Sequence, residues 1–151
     1  MPRGVALFPL LLAALIAACG GPDVASSEAL QVIGPRLVLP PPGADNAAGY
    51  MQLRNRADVP IVLEGLSSPR YARVELHEMR HGDNGMLRMR RLKALRIGPG
   101  ESVALEPHGK HLMLMAPEAR PQAGEVVPLR IRYRLGEAQR ELELALPSEA
   151  R

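Results

Sequence analysis

The chain has few of the residues on which several common protein functions depend. Its 151 residues include one cysteine, Cys19, one phenylalanine, three tyrosines and no tryptophan. With a single cysteine the chain can form neither an internal disulfide nor a thiolate metal cluster. A net charge of only +3 and the scarcity of aromatic rings give no basic, stacking face of the kind that binds nucleic acid. We therefore expect no nucleic-acid partner.

Catalytic motifs are also missing from the sequence. It contains no Gly-x-Ser-x-Gly elbow and no glycine-rich phosphate loop. Glu141 and Glu143 are paired acids, but they alternate with leucines on a predicted strand and so face solvent. The sequence therefore predicts a protein that is not an enzyme.

The N-terminal segment has the features of a secretory signal. Arg3 is followed by an apolar run from Val5 to Ala18, which is too short for a comfortable membrane span. The run ends in LIAACG, which resembles the bacterial lipobox, whose cysteine is lipidated and becomes the mature N-terminus. We predict a lipoprotein signal peptide over residues 1–18 and lipidation of Cys19.

The segment after this cysteine is small and polar. Residues 19–28 therefore predict a lipid anchor followed by a flexible tether. This places the folded domain in the bacterial cell envelope, on the periplasmic side, attached to the membrane through its lipidated N-terminus.

The remaining sequence is typical of short strands separated by turns rich in proline and glycine. The pattern predicts strands at Leu30–Ile33, Arg36–Leu39, Ala47–Asn55, Ile61–Leu66, Ala72–Met79, Met86–Leu92, Val103–Leu105, His111–Ala116, Val126–Leu135 and Arg140–Leu146. Strands of this length and spacing indicate an all-β fold, an antiparallel Greek-key β-sandwich of the cupredoxin-like or immunoglobulin-like kind. We predict that this domain covers residues 29–147 and that residues 148–151 form a tail.

Histidine and methionine are concentrated in one part of the chain. All four histidines and five of the seven methionines lie between residues 75 and 115, namely His77, His81, His108, His111, Met79, Met86, Met89, Met113 and Met115. Imidazole nitrogen and thioether sulfur, with no thiol nearby, form a ligand set that suits a soft monovalent metal, above all Cu(I).

Strand geometry brings several of these residues to one face. Residues two apart on a strand point the same way, so His77 and Met79 share a face, as do His111 and Met113. A hairpin turn at Arg80–Gly85, which contains Asn-Gly, then returns the chain beside His77. Three segments can therefore place two imidazoles and several thioethers close together.

The spacing of these residues resembles that of the PCuAC family, periplasmic copper chaperones for cytochrome oxidase assembly. That family has His, ten residues, Met, twenty-one residues, then His-x-Met. This chain has His77, eleven residues, Met89, twenty-one residues, then His111-Leu112-Met113. Four further segments, AAGYMQLRN, VELHEM, GMLRMR and HLMLM, are also similar to the family, and the resemblance extends from Leu37 to Leu146.

The resemblance implies a cupredoxin-like β-sandwich that carries Cu(I) and delivers it to the copper-centre subunit of cytochrome c oxidase. It implies four copper ligands: His77, Met89, His111 and Met113. The one extra residue between His77 and Met89 falls in the hairpin turn, and Met79 and Met86 remain open as substitutes for Met89. His81 and His108 lie in polar turns, where they are either solvated or additional ligands for Cu(II), which prefers nitrogen and oxygen donors.

Two other functions remain open from the sequence. A copper-buffering or resistance lipoprotein would use the same ligands without a dedicated acceptor. An immunoglobulin-like envelope interaction module would use its methionines only for packing. Blue-copper electron transfer is disfavoured, because it requires a cysteine ligand within the domain. Acidification should weaken copper binding, because a protonated imidazole cannot bind a metal.

Overall fold

The chain folds into strands connected by turns. The computed structural model describes Met1, residues 24–82 and residues 85–151. In that part of the chain no helix is long and apolar enough to cross a membrane. Most of the predicted signal peptide, Cys19 and two residues of the predicted hairpin turn, Asp83 and Asn84, lie outside the described residues. The strands are β1 Val24–Ser26, β2 Leu30–Val38, β3 Ala47–Asn55, β4 Ile61–Ser67, β5 Tyr71–His81, β6 Leu87–Leu92, β7 Leu95–Ile97, β8 Ser102–Leu105, β9 Lys110–Pro117, β10 Val126–Leu135 and β11 Ala138–Glu149.

The strands form the two layers of a β-sandwich. One layer has the order β6-β5-β9-β3-β2, with β1 paired to β2 and β8 paired to β3. The other layer has the order β11-β10-β4-β7, and the pairing of β2 with β11 joins the two layers. The pairing of β2 with β11, at Leu37 and Ser148, is parallel. The other strand pairings of the described residues are antiparallel. The predicted all-β sandwich is confirmed.

Individual strands agree with the sequence pattern to different degrees. β3 and β10 begin and end where the pattern predicts. The two short strands predicted between residues 30 and 39 are one strand, β2, in which the register shifts between Ile33 and Arg36. Gly34 has a φ of 58° at this bulge, a conformation that glycine adopts without strain. The ladder therefore continues across a Gly-Pro pair that the pattern interprets as a break.

Two short strands and the end of one long strand were not predicted. β7 has only three residues, so the two apolar residues Leu95 and Ile97 are the whole of the alternating pattern that could predict a strand there. β1 pairs with β2 within the segment predicted to be a tether, and β11 extends to Glu149, into the predicted tail.

The core is built from aliphatic side chains on the inward faces of the strands. On β5 and β9, Val74 lies opposite Leu114 and Leu76 lies opposite Leu112, and all four side chains are buried. Because the side-chain period of a strand is two, the residues between them must point to the outer surface. The apolar residues of β5 and β9 thereby determine which of their polar residues face outward.

A glycine lets β3 approach this pair of strands closely. Gly49 lies opposite Leu112, and a Cβ atom at Gly49 would be 3.0 Å from the Cβ of Leu112. A larger residue at Gly49 would displace Leu112 from the core, and with it the neighbouring His111 on the outer face.

A buried asparagine ties the end of β3 to β7. Asn55 is fully buried, and its Nδ2 donates hydrogen bonds to the carbonyl oxygens of Val59 at 2.8 Å and Ile97 at 3.1 Å. Its Oδ1 accepts a hydrogen bond of 2.9 Å from the amide of Ala57. One side chain therefore satisfies three backbone groups, two in the turn between β3 and β4 and one at the end of β7.

We expect Asn55→Ala to lower the free energy of unfolding by about 2–4 kcal/mol, because it leaves buried backbone groups without partners. Urea unfolding of the apo protein measures this change. Gln52→Ala is the matched control, since Gln52 lies on the same strand but is exposed, and it should change stability by less than about 0.5 kcal/mol. Equal effects of the two substitutions would show that the hydrogen bonds of Asn55 are not important for stability.

Candidate copper site

The outer surface of strands β6, β5 and β9 brings histidines and methionines together. His77 on β5 lies directly opposite His111 on β9, and their ring centroids are 6.0 Å apart with an angle of 46° between the ring planes. Met79 on β5 lies directly opposite Met89 on β6. Together with Met113, these four residues form what we call the His/Met face.

His111 is held in a defined orientation. Its side chain is buried, with 6% of the residue surface exposed, and Nδ1 is 3.2 Å from the carbonyl oxygen of Gly109. A carbonyl oxygen only accepts hydrogen bonds, so Nδ1 carries the proton of the neutral ring. The lone pair on Nε2 is therefore available to a metal.

His77 is held by a carboxylate. Its Nε2 is 2.9 Å from Oε2 of Glu75. The hydrogen bond from His77 lowers the pKa of Glu75, burial raises it, and the charges of Arg91 and Arg73 lower it further, for a net decrease. Glu75 is therefore ionised at neutral pH and accepts the proton of His77 Nε2 in a hydrogen bond.

The second nitrogen of His77, Nδ1, differs from the first in its surroundings. Nδ1 of His77 is buried, and it has no hydrogen-bond partner among the described residues. An unsatisfied buried acceptor costs about 1–3 kcal/mol, so its presence in a folded protein needs an explanation. A metal ion bound through this lone pair would satisfy it.

Two methionines lie next to the histidine pair. Met113 follows His111 by two residues on β9 and lies opposite Glu75 on β5, so its half-buried side chain is on the His/Met face. Met89 is exposed to 47% on β6. Met89, His111 and Met113 line one open cleft. Thioethers are thus available next to both histidines.

The four residues predicted as ligands, His77, Met89, His111 and Met113, therefore lie on one surface. The candidate accessory residues lie in different positions. Met79 is half-buried beside Met89, whereas His81 is exposed at the end of β5 and Met86 is 56% exposed just before β6. His108 is exposed in a turn with a φ of 63°.

The placement of Met89 depends on the hairpin between β5 and β6. The strands pair from Leu76–Leu92 to His81–Leu87, and this register puts Met89 directly opposite Met79. At the end of the hairpin, the amide of Gly82 donates a hydrogen bond of 2.8 Å to the carbonyl oxygen of Met86. Met89 therefore lies on the His/Met face, although this chain has one residue more between His77 and Met89 than the family pattern.

Glu75 is the functional candidate that the sequence analysis did not select. The signal was present, because Glu-x-His on a strand puts the carboxylate on the same face as the imidazole. Arg91 also belongs to this group, since it lies opposite His77 on β6 and its Nη1 is 3.5 Å from Oε1 of Glu75.

The donor atoms of this surface indicate which metal it suits. Among the described residues, no group of three or more His, Cys, Asp or Glu side chains is arranged to hold a metal ion. The His/Met face offers thioether sulfur beside imidazole nitrogen. Two neutral imidazoles with thioethers are a soft ligand set that favours Cu(I) over Zn²⁺ or Mg²⁺.

We expect peroxide to oxidise Met86 and Met89 before Met51, which is 4% exposed, because thioether oxidation follows exposure. Ag(I), a soft ion like Cu(I), should slow the oxidation of Met89 and Met113 by occupying their sulfur lone pairs. Met86 is the control, since it lies on the same hairpin with similar exposure and should not be protected. Peptide mass spectrometry measures each rate. Equal protection of Met86 and Met89 would contradict this location of the site.

The chain is similar to one protein family and to several solved structures. The family described as "Putative lipoprotein LpqE-like" matches residues 30–140. The copper-bound PCuAC domain from PmoF2 has a TM-score of 0.70 and 22% identity, and the match covers 85% of this chain and 99% of that domain. Cu(I)-DR1885 from Deinococcus radiodurans, a solution structure, has a TM-score of 0.61 and 28% identity, with coverage of 76% of this chain and 74% of that one.

The apo PCuAC domain of PmoF2 matches equally well, with a TM-score of 0.70, 23% identity and coverage of 85% and 95%. No curated protein matches the chain significantly. The family match covers most of the chain, and the structural matches agree with it. The chain belongs to the LpqE-like family and has the PCuAC fold, which confirms the family that its sequence resembles.

Proposed function

We propose that this protein is an extracytoplasmic copper chaperone that binds Cu(I) through His77, Met89, His111 and Met113 and delivers it to the copper centre of cytochrome c oxidase. The observation that carries the proposal is the histidine pair. Two adjacent imidazoles, buried His111 and partly buried His77, each have one nitrogen fixed by a hydrogen bond, while the other nitrogen is available. Two of the similar solved structures are copper-bound or Cu(I) forms, which supports copper as the cargo.

The charge of the ligand set suits a carrier. Imidazole and thioether are both neutral, so bound Cu(I) would keep its single positive charge. The carboxylate of Glu75, bonded to His77, would partly balance that charge from outside the ligand set. An acceptor with thiolates offers softer, negatively charged ligands and would bind Cu(I) more tightly than this site.

The difference in exposure between the ligands suggests an order of transfer. His111 is buried, whereas Met89 is 47% exposed on β6, the outermost strand of its layer. An acceptor ligand would therefore displace Met89 first, and the histidines would keep the ion bound until a second acceptor ligand arrives.

The surroundings of Met89 also suggest the character of the acceptor surface. Arg88, Arg90 and Arg91 are exposed on β6. A partner that approaches this strand would gain from acidic residues around its copper site, mainly through faster association. The predicted lipidation of Cys19 would confine the encounter to the membrane surface, and the lipoprotein description of the family supports a place in the cell envelope.

We expect the full-length protein to bind one equivalent of Cu(I) tightly and His111→Ala/Met113→Ala to lose this binding while remaining folded. Loss of two direct ligands should cost more than the roughly tenfold to hundredfold that removal of an outer-shell partner costs. A competition titration with a chromophoric Cu(I) chelator measures the affinity, and circular dichroism reports the fold.

His81→Ala/Met86→Ala is the matched control, because it removes one histidine and one methionine from the exposed end of the hairpin. It should retain wild-type affinity. Absence of binding in the wild-type protein, or equal losses in both double variants, would contradict the proposed site. Transfer of bound Cu(I) to the isolated copper domain of the oxidase would support the chaperone, whereas retention would indicate a buffering protein.

A further inference from the structure

Glu75 is held between a predicted copper ligand and an arginine. It precedes His77 by two residues on β5, and its side chain is 15% exposed. One carboxylate oxygen, Oε2, is 2.9 Å from Nε2 of His77, and the other, Oε1, is 3.5 Å from Nη1 of Arg91. Arg91 lies opposite His77 on β6, so the pairing of β5 with β6 fixes this arrangement.

The two histidines consequently have different nitrogens unprotonated. In His77, the proton lies on Nε2, where the carboxylate of Glu75 accepts it, and the buried Nδ1 has no partner among the described residues. In His111, Nδ1 donates to the carbonyl oxygen of Gly109 and Nε2 remains unprotonated. The backbone therefore orients one ring, and a carboxylate orients the other.

We propose that Glu75 is a positioning residue that fixes the ring orientation and tautomer of His77, so that His77 binds Cu(I) through Nδ1 while His111 binds it through Nε2. This inference rests on the proposed function. The hydrogen bond also makes the imidazole of His77 a better donor to the metal, as a carboxylate does when it accepts a hydrogen bond from a metal-bound histidine.

The role of Glu75 differs from that of a carboxylate that only contributes charge. Glu78 provides the comparison, since it lies on the same strand, is 14% exposed and forms ion pairs with Arg80, Arg90 and Lys110. It points to the opposite face of β5, so it carries the same charge without contacting either histidine.

Nitrogen-15 NMR of the full-length protein in detergent, with labelled histidine, tests this role without copper. At alkaline pH, where neutral imidazole predominates, His77 should be protonated at Nε2 and this proton should exchange slowly with water. Glu75→Ala should lose the slowly exchanging proton, and Glu78→Gln should retain it. In the silver-loaded wild-type protein, scalar coupling to ¹⁰⁹Ag should appear at Nδ1 of His77 and at Nε2 of His111.

Cu(I) competition titration supplies the second readout. Glu75→Ala should weaken binding by about tenfold to hundredfold, the typical cost of removing an outer-shell partner. Glu75→Gln keeps a carbonyl oxygen that can accept the same hydrogen bond, so its affinity should lie between those of Glu75→Ala and the wild-type protein. Glu78→Gln should bind as the wild-type protein does.

Coupling of silver to Nε2 of His77, or an unchanged Cu(I) affinity in Glu75→Ala, would overturn the role of Glu75. Failure of the wild-type protein to bind Cu(I) would instead contradict the proposed function. The two failures are distinguishable. The first would be observed in a wild-type protein that binds the metal, whereas the second would be the absence of metal binding by the wild-type protein.

Discussion

The register between β5 and β9 determines both the core and the His/Met face. Leu76 lies opposite Leu112 inside the sandwich, and the next residues on the two strands, His77 and His111, lie opposite each other outside it. A slip of one residue would exchange the two faces, exposing leucine and burying imidazole. Every buried leucine on these strands therefore helps to hold the histidine pair in place, and the same packing energy that stabilises the fold aligns the ligands.

The strands that carry the His/Met face differ in how much their neighbours restrict them and in how much they are exposed. β9 lies between β5 and β3, so His111 and Met113 come from the interior of the layer, where neighbouring strands restrict movement. β6 is the outermost strand and its side chains are largely exposed, so Met89 comes from the least restricted part of the surface. A carrier must hold its ion and also release it, and this arrangement combines firmly held imidazoles with one thioether that a partner can reach.

The sequence predicts much of the ligand set because the alternation of a strand is a local property. His111 and Met113 share a face whatever β9 pairs with, and the same is true of Glu75 and His77 on β5. The closeness of His77 and His111 is not local, since they are joined only through the pairing of β5 with β9, and strand geometry allowed this closeness without requiring it. The hydrogen bond of Glu75 to His77 could be suspected from the Glu-x-His spacing, but it depends on side-chain orientations that Arg91 on another strand helps to set. Methionine is the least predictable ligand, because its long, flexible side chain allows Met79 or Met89 to reach the same position.

X-ray absorption spectroscopy of the Cu(I)-loaded protein tests the central claim most directly, because it reports which atoms surround the metal. The account predicts a mixed shell of nitrogen from two imidazoles and sulfur from two thioethers, and the multiple-scattering pattern of imidazole should be present. A shell without sulfur, or one without imidazole scattering, would contradict a copper site on the His/Met face.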